Sequence, residues 1–203
     1  MEIEYNDYLR KRFKKISKIY DILALSNCIR KPPVKLVDIK PETKILDVCT
    51  GTGNLALEFA KYSNNVVGID ISSEMLKVAN KKNKSGKVKF ILMDATKLEF
   101  EDKTFDITSI STSLHEMPEN VRIEVLKEIK RVTKNKVIVI DYCLGGRKLF
   151  KKLVYKIISL YESKYFNEFI CEDLRNLISE QRFEIEIEKI VLGIFKIFVC
   201  KII

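Results

Sequence analysis

From residue 44 onward the chain alternates short apolar runs with stretches of helical spacing, and few architectures accept that alternation. The runs are KILDVC, NVVGID, VKFILMD, FDITSIS and KVIVIDYC. Between them apolar residues recur three or four apart, which predicts helices over about 55–62, 73–82 and 120–132. Five strand-like runs separated by helices imply a parallel sheet. Residues 45–48, 66–69 and 137–140 are almost continuously apolar, as burial on both faces requires, so the core reads as doubly wound. Further on, helical spacing over about 148–161 and 173–181 gives way to FEIEIEKIV and GIFKIFVCKII. FEIEIE alternates strictly, so one of its faces is wet. With Gly193 between them, these two runs read as an antiparallel pair closing the sheet edge. The expectation is an α/β fold: a doubly wound, mostly parallel seven-stranded sheet with an antiparallel C-terminal strand pair.

The N-terminal part follows a different pattern. Phe13, Ile16, Ile19, Tyr20 and Leu23 lie three or four apart among Arg10, Lys11, Arg12, Lys14, Lys15 and Lys18, a basic amphipathic helix that Pro32 and Pro33 then stop. A chain of 203 residues is the size of one domain, divided into a helical lid (1–40), a cofactor-binding core (41–143) and closing helices and strands (144–203). With 46% hydrophobic and 32% charged residues the composition is globular, which excludes a disordered, collagen-like or disulfide-framework chain. The net charge is +9, and Lys dominates the 37 basic residues. Forked Arg contacts are what read guanine edges and grip phosphates, so this surplus does not predict specific nucleic-acid recognition. Five scattered cysteines without a Cys-x-x-Cys pair, and one histidine, predict no metal site. Glu2, Glu4 and Asp7 do not suit a signal peptide, and no run approaches the roughly 18 apolar residues of a membrane span, so a cytoplasmic, reduced protein is expected.

In a doubly wound sheet ligands bind outside the carboxyl ends of the strands, near the reversal of strand order. The first run ends in DVCTGTGN, the second at Asp70, the third at Asp94 and the fifth at Asp141. Gly51-Thr52-Gly53-Asn54-Leu55-Ala56 fits the dinucleotide fingerprint with its permitted final Ala, and Asp70 stands near the distance expected for a ribose-binding acid. NAD and a hydride-transfer enzyme are therefore one reading. Charge argues for another: a pyrophosphate wants bare backbone amides, whereas Asp47 points into the glycine loop and Asp94 and Asp141 share its edge. Carboxylates suit a ligand carrying a ribose, an adenine amino group and positive charge, such as S-adenosylmethionine.

ILDVCTGTGNLA, VVGIDISSEML, MDATKLEFEDKTFDI and STSLHEMP, in that order and spacing, resemble the class I S-adenosylmethionine-dependent methyltransferases with their Rossmann-like fold, and more narrowly the ubiquinone/menaquinone C-methyltransferase type. The resemblance runs from KISKIYD through Asp141 and more weakly beyond. It implies S-adenosylmethionine as cofactor, S-adenosylhomocysteine as product, and a small-molecule acceptor. Residue by residue, it implies that Asp47 and the loop of Cys49, Thr50, Gly51 and Gly53 wrap the methionine part, and that Asp70 accepts both ribose hydroxyls. Ile71 would lie against the adenine face, Asp94 and the Ala95 backbone would take the adenine amino group, and Ser111 would line the methionine side. Tyr20 matches a lid tyrosine that reaches the cofactor's carboxylate. Cys49 departs from the family's usual first loop glycine, although cysteine is familiar there among menaquinone-type members.

Each role has a plainer counterpart. Asp47 and Asp70 could cap helices, Asp94 could serve its own turn, and Asp141 is as easily a cap for the helix after it. His115, the sole histidine, sits after the fourth strand where it could take a proton from the acceptor, or merely orient substrate. Residues 10–23 and 147–158 are basic and amphipathic. They read either as helices with one face on the core or as an apolar substrate entrance making transient contact with anionic membrane surfaces. A nucleic-acid or protein methyltransferase is a further alternative, disfavoured because STSLHE stands where amino-methylating nucleic-acid enzymes carry an Asn/Asp-Pro-Pro-aromatic loop.

Overall fold

The computed structural model describes residues 31–143, 155, 163–171 and 173–203. Strands β1 (Lys44–Val48), β2 (Asn65–Asp70), β3 (Val88–Leu92), β4 (Phe105–Ser111), β5 (Thr133–Tyr142), β6 (Phe183–Val191) and β7 (Phe195–Ile202) form one sheet, in the order β3-β2-β1-β4-β5-β7-β6. The first five are parallel, and β7 runs antiparallel between β5 and β6. The alternating and continuous apolar runs thus fold as their patterns dictate. Because these five strands are parallel, their carboxyl ends share one edge, and strand order reverses there between β1 and β4.

Successive strand residues face opposite sides, and the core divides accordingly. On one face Leu46, Val48, Ile110, Val137 and Val139 pack against Val121, Val125, Leu126 and Ile129 of α3 (Glu119–Val132), with Phe169 of α4 (Phe166–Cys171) and Ile178 of α5 (Leu174–Glu180). On the other, Ile45, Val66, Ile107, Ile138 and Ile140 meet Leu55, Ala56 and Phe59 of α1 (Asn54–Phe59). Each such side chain, fully buried, contributes about 1.5–3 kcal/mol relative to exposure. Helix α2 (Ser73–Lys82) starts at Ser72, whose side chain accepts from the Met75 N–H, and carries Glu74 in its first turn and Lys81 and Lys82 in its last, matching the helix dipole.

Residues 31–34 are helical, and the Pro32 and Pro33 carbonyls accept from the Lys35 and Leu36 N–H groups. Two expectations differ in detail. Helix α1 stops at Phe59, with Ala60 as C-cap, short of Tyr62, and β5 begins directly after α3 at Thr133. The lid helix and Tyr20 lie outside the described residues, as do residues 148–161 apart from Tyr155. At the outer edge, Glu184, Glu186 and Glu188 alternate along β6. Glu188 pairs with Arg175 and Lys196, which hold its carboxyl below the usual range, and such charges discourage edge-to-edge association. Among the described residues, no helix is long and apolar enough to cross a membrane.

Candidate active site

The loop leaving β1 turns through three left-handed residues, Cys49 (φ 54°), Gly51 (φ 56°) and Gly53 (φ 78°). Asp47 braces it from beneath. This carboxylate is buried, and it accepts from Ser109 Oγ of β4 and Thr50 Oγ1 of the loop, each at 2.6 Å, and from the Ala56 N–H at the start of α1. Burial outweighs these bonds and pushes its pKa up to about 6. Asp47 therefore locks the first strand, its neighbour and the helix start together.

The two glycines serve different needs. A Cβ on Gly53 would come within 2.5 Å of Phe90 Cζ and 2.9 Å of Ala79 Cβ, so this glycine lets the loop pack against β3 and α2. A Cβ on Gly51 would meet nothing within 4 Å. It would project into open space at the sheet's carboxyl edge, where a ligand can lie against bare backbone.

Asp70 ends β2 and ties that loop to the next helix. Its Oδ2 accepts from the Gly51 N–H and its Oδ1 from the Ser72 N–H, both at 2.8 Å. The Ile71 N–H donates to it as well, so of the about four acceptor sites of an ionised carboxylate one is left for a hydroxyl donor. Burial raises its pKa to about 6 as well. Ile71, beside it, is half-buried against the core. Asp94 follows β3, and its Oδ1 accepts from the backbone N–H and the hydroxyl of Thr96 at 2.9 and 2.8 Å, with Ala95 buried next to it. The Asp94 turn is thus closed by its own carboxylate. Burial and then the charges of Asp70, Asp47 and Asp94 drive the Cys49 thiol well above its ordinary pKa, which places all three acids around this loop.

After β4 the chain passes Ser111, half-buried, whose carbonyl accepts from Ser113 Oγ at 3.0 Å, and Thr112 at φ 50°. A single 3-10 turn, Leu114–Glu116, follows. His115 is buried in it, with Nδ1 2.7 Å from Asp141 Oδ1. Asp141 Oδ2 accepts from the backbone N–H groups of Ser113, Leu114 and His115 at 3.2, 2.9 and 3.4 Å. The sequence suggested that Asp141 could cap a helix after it; the structure turns it toward the β4 turn instead. Sequence reasoning left Ser109 and Phe90 without a part in the site, and it put Asp141 at the site's edge without naming His115 as its partner. Asp141 had a signal, a lone acid ending an apolar strand, whereas Phe90 and Ser109 had none that local pattern could supply. Among the described residues there is no cluster of three or more His, Cys, Asp or Glu that could hold a metal.

The geometry has relatives. A methyltransferase-domain family model matches residues 45–136, from β1 into β5. That stretch is similar to methyltransferase domains. Demethylmenaquinone methyltransferase of Bacillus cereus is 35% identical to it over 134 residues, 60% of this chain, and the match spans only 56% of that relative's length. A methyltransferase described as SAM-dependent, from Aquifex aeolicus, shares the fold with a TM-score of 0.70 at 21% identity, over 92% of this chain and 98% of that one. Magnesium protoporphyrin IX methyltransferase of Synechocystis, solved with bound SAH, does so with a TM-score of 0.62 at 15% identity, over 100% of this chain and 88% of that one. The open side of Gly51, the remaining acceptor capacity of Asp70 and the surrounding acids fit a cationic adenosyl ligand. A pyrophosphate would meet those same acids as repulsion.

Proposed function

We propose that the chain transfers a methyl group from S-adenosylmethionine to a small, quinone-like acceptor in its reduced form. The observation that carries the cofactor reading is the pairing of Gly51, open on its ligand side, with Asp70, which holds the Gly51 N–H and keeps acceptor capacity for a ribose hydroxyl. The acceptor class is supported by the demethylmenaquinone methyltransferases to which the chain is similar. The cofactor supplies an electrophilic methyl on a sulfonium, and in-line displacement asks chiefly for alignment.

The chain's residues divide that work. Asp70 takes the ribose hydroxyls, Ile71 lies on the adenine face, and Asp94 with the Ala95 backbone takes the adenine amino group. Asp47 holds the loop of Cys49, Thr50, Gly51 and Gly53 around the methionine part, with Ser111 beside it and Tyr20 reaching over from the lid. His115 takes the acceptor's proton. We take the 203 residues as one domain in which residues 1–40 cover the site, and the Lys-rich amphipathic stretches at 10–23 and 147–158 as the surface offered to a membrane that holds a lipid-tailed acceptor.

The test is radiolabel transfer from methyl-labelled S-adenosylmethionine to short-chain demethylmenaquinone kept reduced by dithionite, with the oxidised quinone as control. Methylation of the reduced compound alone is expected. Binding of the cofactor with no methylation of any quinol would remove the acceptor reading and leave the cofactor reading standing.

A further inference from the structure

We propose that Asp141 is a positioning residue that fixes the tautomer of His115, holding the proton on Nδ1 so that Nε2 is presented as the proton acceptor. The proposal rests on the methyltransferase reading and deepens it, since that reading gives Asp141 no part. A carboxylate only accepts, and its Oδ1 stands 2.7 Å from His115 Nδ1, so the shared proton belongs to the ring at Nδ1. In the neutral ring the lone pair is then on Nε2. The arrangement follows the logic by which a buried aspartate orients a catalytic histidine elsewhere, on an unrelated fold.

One group sets both ring and backbone. Asp141 Oδ2 gathers the N–H groups of Ser113, Leu114 and His115, and Oδ1 also receives the Tyr142 N–H at 2.7 Å. The turn that carries His115 is therefore held by the same carboxylate that holds its ring. Aromatic neighbours confine the imidazole: Tyr142 lies edge-on with ring centroids 4.7 Å apart, and Phe166 and Phe169 stand at 6.1 and 6.2 Å. Glu116 Oε1 is 3.9 Å from Nε2, longer than the 2.7 Å between Nδ1 and Asp141 Oδ1.

The step balances simply. Nε2 takes the proton that the acceptor gives up as its electron pair forms the bond to the methyl carbon. The electrons of the carbon–sulfur bond stay on sulfur, and the imidazolium, facing Asp141, later returns its proton to solvent.

His115 is the only histidine in the chain, so labelling with 15N-histidine yields a single ring spectrum that reports the tautomer directly. In wild-type protein at pH 8 with S-adenosylhomocysteine bound, we expect a pyrrole-type Nδ1 and a pyridine-type Nε2. In Asp141→Asn the amide oxygen can keep the Ser113 and Leu114 N–H groups while the NH2 turns toward Nδ1, driving the proton to Nε2. The spectrum should swap, and kcat for the reduced short-chain demethylmenaquinone should fall about 100-fold or more. KM for that quinol and Kd for S-adenosylhomocysteine should stay within about threefold of wild type, as expected when only the transition state loses an interaction. His115→Asn keeps a donor for Asp141 and deletes Nε2, and it should lose a similar factor in kcat with an unchanged melting temperature. A wild-type ring protonated at Nε2 overturns the proposal, as does a swapped tautomer with turnover intact. If Asp141→Asn does not fold, the wild-type spectrum and His115→Asn still decide. Failure of the wild type to bind S-adenosylhomocysteine would strike the methyltransferase reading instead, and it is seen in a separate titration.

Discussion

Replacing Gly51 and Gly53 separately by alanine should separate ligand contact from packing. Both residues sit at positive φ, 56° and 78°, where an L side chain costs about 1–2 kcal/mol, offset by about 0.4–1 kcal/mol from the less flexible unfolded chain. At Gly51 nothing lies within 4 Å of the new methyl, so the strain is the whole cost and the net loss of stability is about 1 kcal/mol. At Gly53 the methyl meets Phe90 at 2.5 Å and Ala79 at 2.9 Å. Overpacking there adds about 1–3 kcal/mol, for a total near 3 kcal/mol and a melting temperature lower by about 10 °C. Binding should rank the other way. The Gly51→Ala methyl occupies the side on which the ligand lies, so affinity for S-adenosylhomocysteine should drop at least about tenfold in a protein that melts within a few degrees of wild type. Thermal denaturation and calorimetric titration of both variants give the answer. Wild-type affinity in Gly51→Ala would refute the claim that the ligand approaches this backbone, and equal melting temperatures would refute the packing argument for Gly53.

Asp70→Ala removes the acceptor for the Gly51 and Ser72 N–H groups together with the ribose acceptor, and titration should show affinity for S-adenosylhomocysteine reduced by about 100-fold or more. With a pKa near 6 in the free protein, raised from 3.8, Asp70 is mostly protonated at pH 5. Donation from ribose hydroxyls favours the ionised form, so affinity should rise about tenfold between pH 5 and 7, with proton release on binding, and level off above; titrations at those two pH values in buffers of different ionisation enthalpy check it. Arg131 donates to the Leu98 and Phe100 carbonyls, to Glu128 and to Asp102, pinning the connection between β3 and β4 to α3. Arg131→Ala should cost about 1–2 kcal/mol, allowing for its partial exposure, and lower the melting temperature by about 3–6 °C.

The sheet was largely legible because its information is local. Apolar runs such as those at 66–69 and 137–140 announce strands buried on both faces, and the strict alternation of FEIEIE announces an edge strand. Strand ends and the double-glycine loop then located the site. What stayed hidden depends on partners distant in sequence. The packing of Phe90 and Ala79 against Gly53 is one such feature. Asp141 is read equally as a ligand contact and as a cap because four of its five donors, the Ser113, Leu114 and His115 N–H groups and the His115 ring, come from a turn more than 25 residues upstream, and only Tyr142 is local.

The central claim is that the loop after β1 and Asp70 form a site for S-adenosylmethionine. Calorimetric titration of the purified chain with S-adenosylhomocysteine, with NAD as the paired control, tests it most directly. Saturable binding of S-adenosylhomocysteine and none of NAD is the predicted result. Binding of NAD alone would contradict the account and return Asp70 to a ribose-binding role in a hydride-transfer enzyme.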